Sequence, residues 1–287
     1  MSWFRTLILG GIALTFVHCA PTMMPNMRSY KPVERSYKEA EVRQLVDCPT
    51  AYIAPKRSIE MSLRSFTNGG TLGGMTIGIW EDLMISGGFG GENLLGEGPI
   101  EWNPSPGVGV RWQGMFENYS YPAVSIGFDS QGYGAWADST KRYRIKSKGF
   151  YLVASKNYFL SPTQRFGLGL HAGVNYSLEH ADDDDDVNAF IGISWTNNSQ
   201  PDRQNFGFHI EYDFGINDNG SRSLGAGKGY LNAGIKIAPA KELFSNRLYL
   251  EFDVRDILKN SKLPPDAPEG TELYSNRILK LVFMGYF

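Results

Sequence analysis

Apolar residues recur at every second position through most of the chain beyond residue 57, and this is the period of a β-strand. In the run 206–216, six apolar residues alternate with glycines and with polar residues such as His209 and Glu211. The runs 166–177 and 248–256 follow the same pattern. Each of these runs has roughly 9–12 residues, which is the length that a tilted transmembrane strand requires. The pattern therefore predicts strands that span a membrane.

Weaker copies of this alternation raise the predicted number of strands. We predict an all-β fold, a single transmembrane antiparallel β-barrel of about twelve strands, within limits of roughly ten and fourteen. An even number agrees with single-chain bacterial barrels. The weaker copies span residues 59–66, 75–80, 83–90, 108–116, 123–129, 150–159, 189–195, 231–237 and 277–287.

The connections between the predicted strands differ in length on the two sides of the barrel. With the N-terminus placed in the periplasm, the periplasmic connections are mostly short, such as 81–82 and 160–164. The connections on the outer side are mostly long, such as 91–107 and 130–149, although 67–71 is short. Short periplasmic turns and long external loops are typical of outer-membrane barrels.

A soluble β-sandwich or a lipocalin-like barrel would also alternate, and the sequence does not show which face of the strands points outward. Soluble strands, however, usually have only about five or six residues. The greater strand length here, together with a leader at the N-terminus, favours the membrane. A sheet in hydrocarbon must then close on itself, because the backbone groups of an open edge would find no partner there.

The leader has the layout of a secretory signal. Arg5 precedes an uncharged apolar run that is too short to span a membrane as a helix, so we predict a signal peptide at 1–20. Cleavage after Ala20 would leave a proline first, and lipidation of Cys19 is an alternative, so the cleavage site stays open. A disulfide between Cys19 and Cys48 is available only if cleavage spares Cys19.

The segment that follows the leader does not show the strand alternation. We interpret residues 21–56 as a periplasmic tail or a small plug, and the barrel as residues 57–287. Within the segment, residues 36–47 are predicted to form a short helix that ends before Pro49.

Charge and motifs exclude some functions. A net charge of -2 and a pI of about 6.1 give no basic surface of the kind that nucleic acid requires. The glycine-rich segments match neither a dinucleotide fingerprint nor a phosphate-binding loop, so we expect no cofactor and no enzymatic activity. The competing idea is a barrel hydrolase, in which His171 or His209 would act with a serine at the lipid boundary.

Polar residues occupy the strand face opposite the apolar residues, and in a membrane barrel they would line the lumen. One interpretation is a polar passage for small solutes. The other is a network of ion pairs that fills a narrow interior. In either case the charged residues of 206–216, 231–237 and 248–256 are expected to face one another, since these strands are neighbours. The predicted lumen-lining residues are Glu60, Arg64, Arg111, Gln113, Asp129, His171, Asn175, His209, Glu211, Asp213, Lys236, Glu251, Asp253 and Arg255.

Two charged segments fall in the predicted outer loops. The basic segment KRYRIKSK, residues 141–148, could contact lipopolysaccharide phosphates or an acidic polysaccharide. The acidic run could hold a divalent cation, because carboxylates suit Ca²⁺, but it lacks the spacing of an EF-hand loop. For both segments we favour solvated loops. The acidic run consists of Asp182, Asp183, Asp184, Asp185 and Asp186.

The last residues, RILKLVFMGYF, resemble the closing strand of bacterial outer-membrane β-barrel proteins, including the porin-like ones. In that superfamily a final strand with alternate apolar residues and a terminal Phe is the signal that the barrel-assembly machinery recognises. Leu279, Leu281, Phe283 and Phe287 match that signal, whereas Gly285 stands where an aromatic residue is common. The resemblance implies an outer-membrane location, among lipids and lipopolysaccharide. In addition, YPAVSIGFDSQGYG and KGFYLVASKNY are similar to segments of barrels linked to exopolysaccharide secretion.

Two functions agree with these observations. The first is a porin-like channel for small polar solutes or saccharides. The alternative is a non-conducting structural or accessory barrel for exopolysaccharide export or surface attachment, with a lumen closed by side chains or by residues 23–56. The mixed charges of the predicted lumen favour the channel.

Overall fold

Twelve antiparallel strands form the barrel. The computed structural model describes residues 41–96, 98–159, 166–200, 203–239, 247–263 and 276–287. A short strand, β4 (Glu101–Trp102), extends the barrel wall, and β7 (Tyr133–Ala137) with β8 (Arg142–Ile145) forms a separate hairpin. The barrel strands are β1 (Ser58–Phe66), β2 (Gly70–Gly78), β3 (Leu83–Glu92), β5 (Gly107–Met115), β6 (Ala123–Asp129), β9 (Gly149–Phe159), β10 (Phe166–Tyr176), β11 (Asn188–Gln200), β12 (Arg203–Asp213), β13 (Tyr230–Ile237), β14 (Leu248–Arg255) and β15 (Asn276–Tyr286).

The barrel closes where the first and last strands meet. Ser58 of β1 lies opposite Tyr286 of β15, and the same antiparallel register continues to Ser65 opposite Leu279. Each remaining strand pairs with its neighbours along the chain, and β6 pairs with β9 across the hairpin. The predicted fold, including its strand number, is confirmed.

The outer face of the barrel is apolar and the inner face is polar. Leu63 is 48 % exposed and Ile193 is 50 % exposed, whereas the adjacent inward residue Arg64 is only 4 % exposed. This is the reverse of a soluble barrel, and it matches a wall in contact with lipid. Trp112 lies near one end of the wall and Trp102 near the other, where aromatic residues of outer-membrane barrels form girdles. The protein is therefore an outer-membrane barrel.

The turns at one end are short, such as 79–82 between β2 and β3, and the loops at the other end are long, such as 130–148 between β6 and β9. We therefore name the short-turn end periplasmic and the long-loop end extracellular. Among the described residues, no helix is long and apolar enough to cross a membrane.

Several details differ from the prediction, among them β12, which spans Arg203–Asp213 and not 206–216. Strand β2 begins at Gly70 and not at 75. Its first residues, GTLGG, are rich in glycine and show no alternation of apolar and polar residues, so the sequence pattern did not reveal them as strand. The loop after β6 contains the β7–β8 hairpin, which was not predicted. The predicted helix at 36–47 is wrong for its described part, where residues 41–47 form bends and one isolated bridge. Backbone N–H groups in this stretch donate to a side chain of the barrel wall, so they are not available for the hydrogen bonds of a helix.

Candidate functional site in the barrel interior

Residues 41–56, which we call the inner segment, lie inside the barrel. The chain runs in, turns at residues 45–48 and runs back, with the Leu45 N–H donating to the Cys48 carbonyl at 3.0 Å. Thr50 N–H donates to the Arg43 carbonyl at 3.2 Å, so the two arms are joined. Leu45, Cys48 and Thr50 have no measurable exposure. The inner segment therefore occupies much of the lumen.

Glu211 of β12 binds the turn of the inner segment. Its carboxylate accepts the backbone N–H groups of Val46 at 3.0 Å, Asp47 at 2.9 Å and Cys48 at 2.8 Å. A fourth donor, the Asn232 side chain of β13, reaches it at 2.7 Å. Three consecutive N–H groups around one carboxylate form an anion-binding turn, and the burial of Glu211 strengthens each of these hydrogen bonds.

Asp47, at the tip of the turn, is held from two other strands. Arg64 of β1 donates to its carboxylate at 2.5 Å, and Arg255 of β14 donates at 2.9 Å. Both guanidinium groups also lie over the ring of Tyr133, at 4.2 and 5.6 Å from its centre. Tyr133 belongs to the extracellular hairpin, and Gln44 of the inner segment donates to its hydroxyl at 2.5 Å. The tip is thus tied to the wall and to an outer loop together.

One side of the inner segment packs tightly against the barrel wall. Leu45, Ala51 and Tyr52 belong to a buried apolar cluster with Ala123, Tyr151, Val153 and Phe190, which come from β6, β9 and β11. Ala51 is also bound through its backbone, by Ser155 at 2.8 Å and by Ser125 at 2.5 Å. This side leaves no space for solvent.

The opposite side of the inner segment leaves a cavity of about 130 Å³. Much of its wall belongs to β1, β2, β3 and β5, whose inward positions carry small residues such as Ser62, Gly74 and Ser86. Charged side chains of β13, β14 and β15 complete the lining. Arg111 crosses from β5 to the inner segment, donating to the carbonyls of Arg43 at 2.9 Å and Tyr52 at 2.7 Å. The lumen is therefore filled asymmetrically.

All fourteen predicted lining residues lie on the inward face, but their partners differ from the expected ones. Glu251 pairs with Lys236 at 3.0 Å, as neighbouring strands suggested, and also with Lys280 at 3.1 Å. Glu211 and Arg255 bind the inner segment, as described above. The predicted set omitted Lys280, although the alternation of RILKLVFMGYF places it opposite Leu279 and Leu281. The predicted residues, all of which lie on the inward face, are Glu60, Arg64, Arg111, Gln113, Asp129, His171, Asn175, His209, Glu211, Asp213, Lys236, Glu251, Asp253 and Arg255.

The two barrel histidines lie in the interior, away from the lipid boundary. His171 contacts Ser155 at 2.8 Å through Nδ1 and Ser194 at 3.0 Å through Nε2. His209 lies 3.2 Å from Asp253. His171 and His209 are 3 % and 4 % exposed, so the hydrolase geometry with a histidine at the lipid boundary is wrong.

The basic and acidic loop segments bind each other, and the expectation that both are solvated is wrong. Arg142 is fully buried and donates to Asp182 at 2.6 Å and to Asp218 at 2.5 Å. Lys146 donates to Asp182 at 2.8 Å. Burial alone would lower the pKa of Arg142, but the hydrogen bonds and charge of Asp218 and the charge of Asp182 raise it above its ordinary value. Arg142 therefore stays charged, and Arg142 and Lys146 are not exposed to lipopolysaccharide phosphates.

The acidic run is divided between structure and solvent. Asp184 accepts the backbone N–H groups of Asn219 and Gly220, each at 2.9 Å, and Asp183 pairs with Arg222 at 2.9 Å on the surface. Within the part of the chain that the structure describes, no group of three or more potential metal ligands comes together. The acidic carboxylates are used to join loops. The remaining two, Asp185 and Asp186, are exposed.

The C-terminal residues and the cysteines are placed as follows. Leu279, Leu281, Phe283 and Phe287 lie on the outward face of β15 and just beyond it. Cys48 is a buried free thiol in the turn of the inner segment. Cys19 and the predicted signal peptide lie outside the described residues.

Comparisons with known proteins give distant likenesses only. No protein-family model matches the chain, and no curated protein matches it. The KdgM porin has 11 % sequence identity and a TM-score of 0.44, over 80 % of this chain and 99 % of that chain. An outer-membrane channel from Pseudomonas putida F1 has 8 % identity and a TM-score of 0.40, over 81 % of this chain and 97 % of that one. These likenesses carry no inference about a solute.

Proposed function

We propose that this protein is a porin-like outer-membrane channel for small polar solutes, saccharides included, and that the inner segment narrows its lumen. The observation that supports this most is the kind of contact between the inner segment and the wall. The tip is bound by polar and charged groups, Glu211, Arg64 and Arg255, so the interior around the inner segment is hydrophilic. A permanent core would be expected to use apolar packing on all sides.

The polar wall supports the same proposal. If the inner segment left the lumen, the inward charges of β1 and of β12 to β15 would face water and would line a passage across the membrane. Paired charges of both signs are suited to polar solutes and would not admit lipid. The lumen of a barrel of about twelve strands is wide enough for small solutes once it is empty.

A second candidate function is a non-conducting barrel that serves exopolysaccharide export or surface attachment. The apolar cluster of Leu45, Tyr52 and Phe190 favours it, because moving the inner segment would expose this cluster to water. The two candidates therefore differ in one property, which is whether polar solutes cross the barrel.

Conductance in planar lipid bilayers tests the proposal. The full chain without its predicted signal peptide is compared with a variant that lacks residues 21–54. We expect a small current from the full chain and a larger current from the variant, whose lumen is no longer narrowed. If the variant inserts as a folded barrel but carries no current, the protein is not a channel and the second candidate remains.

A further inference from the structure

The two sides of the inner segment differ in how they meet the barrel wall. On the side of β6 and of β9 to β11, inward serines are fully covered: Ser125, Ser155 and Ser194 are each 2 % exposed or less. On the side of β1 and β3, the inward residues Ser62 and Ser86 are half-buried, although both point away from lipid. Since their side chains face the lumen, the exposed area belongs to interior space.

The cavity that causes this exposure extends along the wall. It is lined by Glu60 near the periplasmic end of β1 and by Arg64 four residues further on. This separation corresponds to roughly 13 Å along a strand. At its extracellular end the cavity reaches Gln131 and Tyr133. A space of about 130 Å³ is large enough to hold several water molecules.

Part of the wall of this cavity is formed by glycines. The inward positions Gly74, Gly88 and Gly107 lie on three neighbouring strands, β2, β3 and β5. A Cβ atom at Gly107 would lie 2.4 Å from the Gln131 side chain, so a larger residue there would collide with the lining. Small residues on one wall alone explain why the space lies to one side of the barrel axis.

Three side chains that line the cavity contain buried polar atoms without partners. Arg64 Nε, Arg43 Nη1 and Gln131 Oε1 are buried and have no hydrogen-bond partner among the described residues. All three side chains line the cavity, and Arg64 and Gln131 are each at least nine-tenths buried. These atoms have almost no accessible surface, so they lie behind the lining and do not contact a solute in the cavity.

We propose that solutes cross this barrel off its axis, between the inner segment and the wall of β1, β2, β3 and β5, while the inner segment stays in place. The class of solute follows from the charge of the lining. Five acidic and five basic side chains line the cavity, so the formal charges cancel. Such a passage favours neither cations nor anions, and it suits small neutral or zwitterionic solutes that offer both donors and acceptors. This inference rests on the proposed channel function.

The test uses single cysteines in a background with Cys19→Ser and Cys48→Ala. Ser62→Cys and Ser86→Cys place a thiol in the cavity wall, and Ser194→Cys places the same thiol on the covered side as a matched control. The refolded full chain in detergent is treated with 2-aminoethyl methanethiosulfonate, and labelling is followed by intact mass. We expect the two cavity thiols to react about tenfold faster or more, because the control thiol is reached only through local opening.

A second measurement follows current and selectivity in bilayers. Labelling of Ser62→Cys should reduce the current, and the reversal potential in a potassium chloride gradient should stay near zero. Equal labelling of all three thiols, or of none, would overturn the off-axis path. A strongly cation- or anion-selective current would overturn the solute class.

The thiol-labelling experiment gives a result whether or not the protein carries a current. If the cavity thiols react selectively but the full chain carries no current under any condition, the water-filled space exists and transport does not, so both the proposed channel and the path through it are rejected. If a current is present but the cavity thiols stay unreactive, the channel stands and the off-axis path is rejected. The two failures are therefore distinguishable.

Discussion

At the scale of single residues, Glu211 is the group on which the position of the inner segment depends most. Its oxygen Oε2 accepts three backbone N–H groups of the turn, and its oxygen Oε1 accepts the Asn232 side chain and shares the N–H of Asp47. In Glu211→Gln, the side-chain NH₂ group points at an N–H donor in either orientation of the amide, so hydrogen bonds are lost in both. Losing hydrogen bonds to a buried charge costs about 2 kcal/mol. This corresponds to a rise of roughly thirtyfold in the population of molecules in which the turn has left the wall.

Cys48, in the same turn, provides the measurement. It is a buried free thiol, so its reaction with a thiol reagent in a Cys19→Ser background reports how often the turn leaves the wall. We expect the labelling rate to rise in Glu211→Gln. Glu101→Gln makes the same change at an exposed site of β4 and should leave the rate unchanged. An unaltered rate in Glu211→Gln would show that the apolar side alone holds the segment.

Asp184 gives a pH-dependent prediction in the extracellular loops. Desolvation opposes its ionisation, but hydrogen bonds from Asn219, Gly220 and Ser223 outweigh it and lower its pKa below the ordinary value of 3.8. A carboxyl group whose pKa is lowered on folding stabilises the folded loops above its unfolded pKa, and this contribution is lost as the pH falls through the folded pKa. We expect weaker protection below about pH 4.

Amide hydrogen exchange at Asn219 and Gly220 measures this effect, after correction for the intrinsic rate at each pH. In Asp184→Ala, protection should be low at neutral pH and should change little on acidification. Strand amides of β12 serve as an internal reference, since they do not contact Asp184. If the variant keeps the acid-dependent loss of protection, another loop group causes it.

At the scale of elements, the inner segment is a separate layer within the barrel. Removing residues 41–54 would leave every strand pair intact, but it would uncover Tyr151, Val153 and Phe190. Water entering the lumen would solvate Glu211 and Arg255, so the loss is limited to the apolar contacts. We expect a folded barrel with a lower melting temperature, measured by the heat-dependent mobility shift on gels and by circular dichroism. An unfolded variant would mean that the segment is needed to form the barrel.

The sequence predicts the barrel elements well and the interior poorly, for a physical reason. Period-two alternation is a local signal, so the runs 206–216 and 248–256 reveal strands and inward residues such as Glu211 and Arg255 without any partner. Which carboxylate meets which cation depends on strand register and on the path of residues 41–56. Neither is encoded locally, since that segment has no period. The turn at 45–48 takes its shape from Glu211, which is distant in sequence.

The loops show the same limit. KRYRIKSK and DDDDD each suggest a solvated charged loop when they are considered alone, because isolated charges prefer water. In the folded protein, Arg142 and Asp182 lose that water together and bind each other. The sequence does contain a signal for this pairing, because two loops at the same end of the barrel carry opposite charges. The signal is visible only when both loops are considered together.

At the scale of the whole molecule, we expect Phe287 at the end of the barrel wall to matter for assembly and not for stability. Phe287 follows β15 and is 72 % exposed, so it makes little contact within the folded barrel. We expect Phe287→Ala to keep the stability of the folded protein nearly unchanged, since substitutions at such exposed sites usually change it by only about 0.5 kcal/mol. We also expect it to slow insertion, because the terminal Phe matches the signal that the barrel-assembly machinery recognises in similar proteins.

The comparison is made between Phe287→Ala and Phe150→Ala, which removes another exposed outward aromatic ring, from the extracellular end of β9. Insertion into liposomes is followed with and without the reconstituted assembly machinery. If Phe287 acts as a signal, only Phe287→Ala loses the acceleration by the machinery, and spontaneous insertion into thin bilayers is equal for both variants. Equal losses for the two variants would mean that Phe287 serves as one more interfacial aromatic, and that the signal lies in the alternating residues Leu279, Leu281 and Phe283.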